Sequence, residues 1–305
     1  MIYTITANPS IDYVLQLSQL KSGSINRAID DVKLPGGKGI NVSRILQQLG
    51  LDSTALGFIG GATGTLFTTL LSAHQLQTDF VRVKDDTRIN IKLKTATEET
   101  EINGQGPAIT TAEKQTFLDK LTPITQGDVV IMSGSLPRNL DNNFYLEIAQ
   151  QITQQGAEFV IDTTGQALLD TLQLGPLVVK PNHHELAELF ATTFNNLDDI
   201  IQAAKRLLQL GAKHVLVSMA GDGALLVTEK HAYQCNAPHG QVKNSVGAGD
   251  SMIAGFVGTY MQTHDLQESF HYGAACGSAT AFCEDLATLS DINEVYQKIT
   301  VTQLQ

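Results

Sequence analysis

Asn244-Ser245-Val246-Gly247-Ala248-Gly249-Asp250 places small residues and a carboxylate directly ahead of an apolar run. Gly247 and Gly249 permit a tight turn and close backbone approach. Ile253, Ala254, Phe256, Val257 and Tyr260 read as an apolar helix from Ser251 onward. The turn therefore presents backbone N–H groups of Gly247, Ala248 and Gly249 at a helix N-terminus, where the dipole favours an anion. A carboxylate beside bound anions is repelled by them. It makes chemical sense where Asp250 takes a proton from a hydroxyl that attacks a phosphoryl group held by those amides. The competing reading is Asp250 as an ordinary helix N-cap, and spacing alone does not separate the two.

Gly36-Gly37-Lys38-Gly39, followed by Ile40-Asn41, is a second glycine-rich turn opening a helix. Lys38 between glycines can reach a phosphate, and Asn41 in the first helical turn can face the same ligand; a solvent-facing Lys at a helix start is the alternative. A Gly-x4-Gly-Lys-Ser/Thr loop is absent, so this is not a Walker A turn, and no Gly-x-Gly-x-x-Gly follows a strand and opens a helix, which disfavours a dinucleotide fold. Gly57 to Gly64 is glycine-rich enough to shape a flexible pocket, but is weak as a phosphate loop. Asp12 follows Asn8-Pro9-Ser10 at a strand end, within reach of sugar hydroxyls, and Arg88 begins a strand from which it can swing onto a phosphate; taken alone, Asp12 reads better as a turn residue and Arg88 as a solvated one. In Lys180-Pro181-Asn182-His183-His184-Glu185 the adjacent histidines should diverge on a helix, which disfavours zinc. Asn182 and Glu185, three apart, share a helix face and suit a Mg²⁺ ion that keeps its waters.

These residues need elements to hold them. Val129 to Met132, Phe159 to Ile161, Leu177 to Val179 and Val215 to Val217 are short, β-branched runs, apolar on both faces, as expected of parallel strands covered by helices on either side. Ile2 to Ile5 reads as another strand. Polar or small residues follow each run: Ser133-Gly134-Ser135, Asp162-Thr163-Thr164, Lys180-Pro181-Asn182 and Ser218 to Gly223. Ligands of open α/β sheets bind beyond the carboxyl ends of strands. Between the runs lie helical patterns: Val42, Ile45, Leu46 and Leu49 stopped by Gly50, a capping box at Thr110 to Glu113, and Leu197 to Leu208 stopped by Gly211. Arg88 to Lys94 alternates strictly between polar and apolar residues, and Tyr13 to Leu17 is a second candidate of this kind. Each predicts a strand with one buried face, and together a small sheet acting as a lid. The expected architecture is a three-layer α/β/α domain spanning 1–305, with a mostly parallel sheet and lid strands drawn from about 12–34 and 88–104.

The 305 residues carry a formal net charge of −11, and 17% are charged. No basic run offers a nucleic-acid surface. No apolar stretch approaches the roughly 18 residues that span a bilayer, and Met1 to Asp12 lacks the pattern of a signal peptide. Cys235, Cys276 and Cys283 form no CxxC pair, so a reducing cytoplasm is expected. Cys276 and Cys283, among Gly and Ala, read as core.

Taken together, the chain resembles the ribokinase-like, or PfkB, sugar kinases over essentially its whole length. The matching segments are Asn8 to Asp12, Pro35 to Asn41, Gly57 to Gly64, Thr87 to Asn90, Thr100 to Pro107, Ser133 to Ser135, Lys180 to Glu185, Val217 to Gly223 and Asn244 to Gly255. The Glu101-Ile102-Asn103-Gly104-Gln105-Gly106-Pro107 run points to the fructose 1-phosphate branch. The resemblance implies transfer of the ATP γ-phosphoryl group to the 6-hydroxyl of fructose 1-phosphate. It implies Asp250 as base and Gly247, Ala248 and Gly249 as the anion hole. Asp12, Gly37 and Asn41 would meet sugar hydroxyls; Lys38, Arg88, Ser135 and Arg27 would meet phosphate. Lys180, Asn182, Glu185, Ser218, Gly221 and Gly223 would surround ATP and its Mg²⁺, with Glu185 reaching the ion through water, and Ala275 to Ala279 would line an adenine groove. It further implies a homodimer formed through the lid and leaves a K⁺ requirement open. Tagatose 6-phosphate as substrate, and a sugar-phosphate sensor without catalysis, remain as alternatives; an intact Asp250 argues against the sensor.

Overall fold

A computed structural model describes residues 1–141 and 143–304. Its central sheet has eleven strands. From one edge the order is Val301–Gln303, Ala232–Cys235, Ala224–Val227, Val215–Ser218, Val178–Val179, Glu158–Asp162, Val129–Ser133, Ile2–Thr6, Ser53–Gly60 and Gln77–Thr78, with Val81–Val83 also pairing to Ser53–Gly60. Pairing is parallel from Val215–Ser218 through to Gln77–Thr78, and antiparallel across the three strands of the other edge. The all-apolar strands follow from burial on both faces. Val130 and Met132 join one core cluster, while Val129 and Ile131 join the other. Phe117, Phe144, Leu168, Leu186 and Leu207 bring helices to the first face. Ile45, Ile253, Phe256, Phe270 and Ile292 bring helices to the second. The result is a three-layer α/β/α fold, as the sequence patterns predict.

The capping box at Thr110 and Glu113 opens Thr111–Lys120, and the helices Lys38–Gln48 and Leu197–Gln209 occupy the segments expected of them. Gly57 to Gly64 departs from expectation. It is not a flexible pocket wall but the end of Ser53–Gly60 and the start of the helix Gly61–Ser72. A side chain at Gly57 would lie 2.0 Å from the Thr6 carbonyl oxygen, and one at Gly60 2.1 Å from that of Val83. These glycines serve close backbone packing.

The second sheet has four strands in the order Asp30–Gly36, Ser10–Gln16, Arg88–Lys94 and Glu99–Ile102. Here one-sided burial holds, but the usual sides are exchanged. The buried residues of Arg88–Lys94 include Asn90 and Lys92, whereas Ile89 is 41% and Ile102 55% exposed. Register puts Ile91 beside Tyr13 and Ile102, and Asn90 beside Asp12; Ile11, the neighbour of Ile89, is the exception, buried in a cluster with Phe67 and Leu71. The polar face therefore turns inward over the carboxyl ends of the main sheet, and an apolar face is left outward. No helix among the described residues is long and apolar enough to cross a membrane.

Candidate active site

A cleft of about 1170 Å³ runs between the small sheet and the carboxyl ends of the main strands. Its walls draw on Asp12 and Arg88 of the small sheet, on Gly37, Lys38 and Asn41, and on Ser135 after Val129–Ser133. Lys180, Asn182, Glu185, Ser218, Gly221 and Gly223 line it farther along, and Gly247, Ala248, Gly249 and Asp250 form its wall beside both groups. Arg27 does not belong to this set: it lies in the exposed segment 18–29 and does not line the cleft of its own chain.

The anion turn is a helix start. Ala248–Thr263 begins after Gly247, which adopts a left-handed φ of 80°. That conformation is costly for any residue with a side chain. The Ala248 N–H donates to the Ser245 carbonyl at 3.3 Å, and the N–H groups after it stand at the helix start, where the positive end of the dipole meets the cleft. Close helix packing fixes the turn. Gly255 lies against Gly273 and Cys276 of Leu266–Ala281, and Ser251 Oγ lies 2.8 Å from Thr280 Oγ1 while donating to the Gly247 carbonyl at 2.8 Å. Cys276 is core, as expected; Cys283 is only partly buried.

Asp250 is not the N-cap. It is the third helical residue, 5% exposed, and accepts a hydrogen bond from Asn41 Nδ2 at 2.8 Å. Burial, reinforced by the nearby Asp162 carboxylate, pushes its carboxyl up to about 6. It is thus poised to take a proton near neutrality, where general bases work best. With Asp250 as general base, the deprotonated carboxylate would be the reactive form. We therefore expect kcat/KM to fall about tenfold per pH unit below pH ~6 and to level off above it. A profile flat from pH 5 to 8 would contradict this titration.

Asp162, at the end of Glu158–Asp162, is the residue that the sequence reading left without a role. Its Oδ2 accepts from Lys38 Nζ at 2.8 Å, and its Oδ1 lies 3.6 Å from Lys180 Nζ. Burial pushes this carboxyl up, but the two ammonium groups outweigh it and hold it below the ordinary range. Lys38, drawn down by burial, ends raised because Asp162 and Asp250 face it. Its side chain remains 47% exposed, free to turn towards an incoming anion. Lys180 lies under the turn: a Cβ on Gly249 would come 2.9 Å from its Nζ.

The small sheet supplies a polar roof. Asp12 Oδ1 accepts from Ser10 Oγ at 2.7 Å and from Asn90 Nδ2 at 3.1 Å, and Lys92 Nζ lies 3.4 Å from Asp12 Oδ2. Arg88 donates through Nε to the Asn8 carbonyl at 3.0 Å and through Nη1 to the Gly104 carbonyl at 3.2 Å. Burial draws Arg88 down from its usual value, from a starting point high enough that it stays charged. Asn8 Nδ2 donates to the carbonyls of Gln105 and Leu136, joining the Glu101 to Pro107 run to the Ser135 loop. Asn8, Asn90 and Lys92 sit in segments that the motifs flagged. Their roles were hidden because only the inward-turned polar face reveals them.

Asn182 and Glu185 are joined in a capping box: Glu185 Oε2 accepts from the Asn182 N–H at 2.8 Å and Asn182 Oδ1 from the Glu185 N–H at 2.9 Å. Glu185 Oε1 carries no such bond and lies in the cleft wall. The adjacent histidines do not diverge as helical spacing predicts. His183 is the first helical residue, and its ring centroid lies 3.8 Å from that of His184. Among the described residues no group of three or more His, Cys, Asp or Glu could hold a metal ion. At the far end of the cleft Ala274, Gly277, Ser278 and Ala281 face inward, while Ala275 and Ala279 of the expected groove are buried in the core.

The arrangement combines a buried base, an amide-lined anion turn, paired lysines and a polar roof bearing Arg88, which is what phosphoryl transfer to a hydroxyl needs. Comparison with known proteins agrees. The model for the pfkB family carbohydrate kinases matches residues 5–293. A 1-phosphofructokinase of Bacillus subtilis is 46% identical over all of both chains. A D-tagatose-1-phosphate kinase of Bacillus licheniformis is 37% identical over the same extent. The phosphofructokinase-2 structure from Escherichia coli in complex with fructose-6-phosphate superposes with a TM-score of 0.91, at 31% identity over 97% of this chain and 98% of that one. The chain belongs to the pfkB family of carbohydrate kinases.

Proposed function

We propose that this protein is a 1-phosphofructokinase, transferring the γ-phosphoryl group of ATP to the 6-hydroxyl of fructose 1-phosphate and releasing ADP and fructose 1,6-bisphosphate. Full-length identity to relatives of that name supports the substrate. The observation that carries the reaction type is the buried Asp250 carboxylate, raised to about 6, in the first turn of the helix that presents the anion-binding amides.

In this reading the sugar lies under the roof. Asp12, Asn41 and the Gly37 backbone meet its hydroxyls, and Arg88 and Ser135 meet its phosphate. ATP lies along Asn182, Ser218, Gly221 and Gly223, with its γ-phosphoryl group at the Gly247–Ala248–Gly249 turn. Asp250 takes the 6-hydroxyl proton as the oxygen attacks. Lys38, released from Asp162 as polyphosphate enters, and Lys180 neutralise charge that grows in the transition state. The donor set suits a Mg²⁺ ion arriving with ATP, since Glu185 offers one uncommitted carboxylate oxygen and Mg²⁺ retains its waters. Bound there, the ion would shield the charge of the phosphates. The four-stranded sheet, drawn from about 12–34 and 88–104 of a single 1–305 domain, acts as a lid that excludes water. Consumption of ATP and three free thiols fit the cytoplasm.

The lid's outward apolar face supports a homodimer. Ile89 and Ile102 sit there beside the half-buried Tyr13, Ile91 and Leu93. Ile102→Glu is expected to shift the mass measured by light scattering from dimer to monomer. A wild-type monomer, or an unchanged dimer in the variant, would contradict this interface.

The Bacillus licheniformis relative favours one second reading, D-tagatose 1-phosphate as substrate, with the same phosphate and the same acceptor hydroxyl but an inverted C4. ADP release should be followed with fructose 1-phosphate, tagatose 1-phosphate, fructose 6-phosphate and tagatose 6-phosphate in turn. The highest kcat/KM is expected for fructose 1-phosphate. A tagatose ester in first place would move the assignment, and turnover with none would leave a sugar-phosphate sensor.

A further inference from the structure

The chain leaves the main sheet and enters the small one through Ala7, Asn8 and Pro9, between Ile2–Thr6 and Ser10–Gln16. Asn8 is 2% exposed, and it ties three segments together. Its carbonyl accepts from Arg88 Nε at 3.0 Å, and Arg88 Nη1 donates in turn to the Gly104 carbonyl at 3.2 Å. Its Nδ2 donates to the Gln105 carbonyl at 3.1 Å and to the Leu136 carbonyl at 3.2 Å. Two carbonyl acceptors fix which end of the amide is nitrogen. Oδ1, at the other end, is buried with no hydrogen-bond partner among the described residues. It lies against Gly106, which holds a φ of +86° and where a Cβ would come 2.1 Å from this oxygen. A buried acceptor left unpaired costs stability. An apolar side chain of the same size would avoid that cost, so what the position uses is the pair of N–H donors.

We propose that Asn8 is a positioning residue for the sugar-phosphate subsite: its amide holds the loop 104–106 and the loop 134–136 at the separation that lets Arg88 and Ser135 close on one phosphate. The proposal rests on the placement of the sugar phosphate given above. Arg88 comes from the small sheet and Ser135 from the end of a main-sheet strand, so their separation depends on what bridges the two sheets. Asn8 does not itself meet the ester, because its Oδ1 is buried and its Nδ2 is spent on the two carbonyls. Without the amide those carbonyls lose their donor and the loops part. The far side of the cleft, with Lys180 and the turn at Gly247 to Asp250, does not use this bridge. Misplacing a positioning contact by about 1 Å costs up to about 10²-fold, and here the cost falls on binding of the sugar phosphate.

The test is steady-state kinetics of Asn8→Ala and, separately, of Gly106→Ala, with fructose 1-phosphate and Mg-ATP varied in turn. Gly106→Ala drives a methyl group into the same amide from the facing loop, and it carries the test alone where Asn8→Ala does not fold. We expect each variant to raise KM for fructose 1-phosphate about 10- to 100-fold. A residue that only supports the fold would not single out one substrate, so kcat and KM for ATP should stay within about threefold of wild type. The two changes should be less than additive, because in the double variant the added methyl group meets no amide. A KM for fructose 1-phosphate within about twofold of wild type in either folded variant, or an equal rise in KM for ATP, would overturn the proposal. The wild-type arm separates the two claims. Turnover of fructose 1-phosphate by wild type with unchanged kinetics in the variants removes only the role of Asn8. No turnover by wild type removes the substrate reading, and the role of Asn8 then stands or falls on the Kd of fructose 1-phosphate measured by calorimetry, which must rise in both variants. No binding by wild type removes both.

Discussion

Asp250→Asn should lower kcat by at least about 10²-fold, the scale of general-base loss, while KM for both substrates changes by less than about threefold. Asn keeps the size and polarity of the side chain and can still pair with Asn41, whose amide lies 2.8 Å from the carboxylate. It cannot accept the hydroxyl proton. The same variant should be more stable than the parent at neutral pH. The Asp250 carboxyl is raised to about 6 in the folded chain, above the ordinary value of about 4 that it has when unfolded. Its contribution to stability is therefore complete below pH ~4 and lost as pH rises through ~6. The Asn side chain does not ionise, so the gap in Tm between variant and parent should be small at pH 4 and open by pH 7. Loss of activity with a gain in stability separates a catalytic carboxylate from a structural one. Near-wild-type kcat, or a variant less stable at pH 7, would sink the assignment.

Gly247→Val should be nearly as damaging. Gly247 holds a left-handed φ of 80°, and a Cβ there would sit 2.6 Å from Leu286 Cδ2. A β-branched residue at such a φ is strained by about 1–3 kcal/mol, and relief requires the turn to rotate. Rotation moves the amides away from the developing charge, and loss of one such donor costs about 10²–10³-fold in kcat. The helix behind the turn, packed through Gly255 and Gly273, should persist, so circular dichroism should stay native while turnover falls. A variant with native spectrum and native kcat would show that these amides do not hold the reacting group.

Much of this was legible in the sequence. Residues 129–132, 159–161, 177–179 and 215–217 are apolar on both faces, which specifies buried parallel strands, and the polar residues after them mark the cleft. Gly-Ala-Gly-Asp and Gly-Gly-Lys-Gly identify two helix starts that the fold brings together, Asn41 onto Asp250. What stayed hidden depends on distant partners. Asp162 gains meaning only when Lys38, 124 residues away, lies 2.8 Å from it. The small sheet misled in a different way. Alternation correctly gives a strand with one buried face at Arg88–Lys94, but the rule that apolar means inside fails where a polar roof closes a polar cleft and the apolar face is left outward. Gly57 to Gly64 failed similarly, because strand crowding and pocket flexibility call for the same residue. Arg27 followed from likeness alone, and its own chain keeps it out of the cleft.

The most direct test is the product formed from fructose 1-phosphate and Mg-ATP, followed by ³¹P NMR with wild-type protein and with Asp250→Asn. One fructose 1,6-bisphosphate per ADP is expected from wild type, with the variant nearly silent at equal folded concentration. ADP without bisphosphate, a phosphoryl group at any position other than C6, or equal product from the variant would contradict an Asp250-dependent transfer to the 6-hydroxyl.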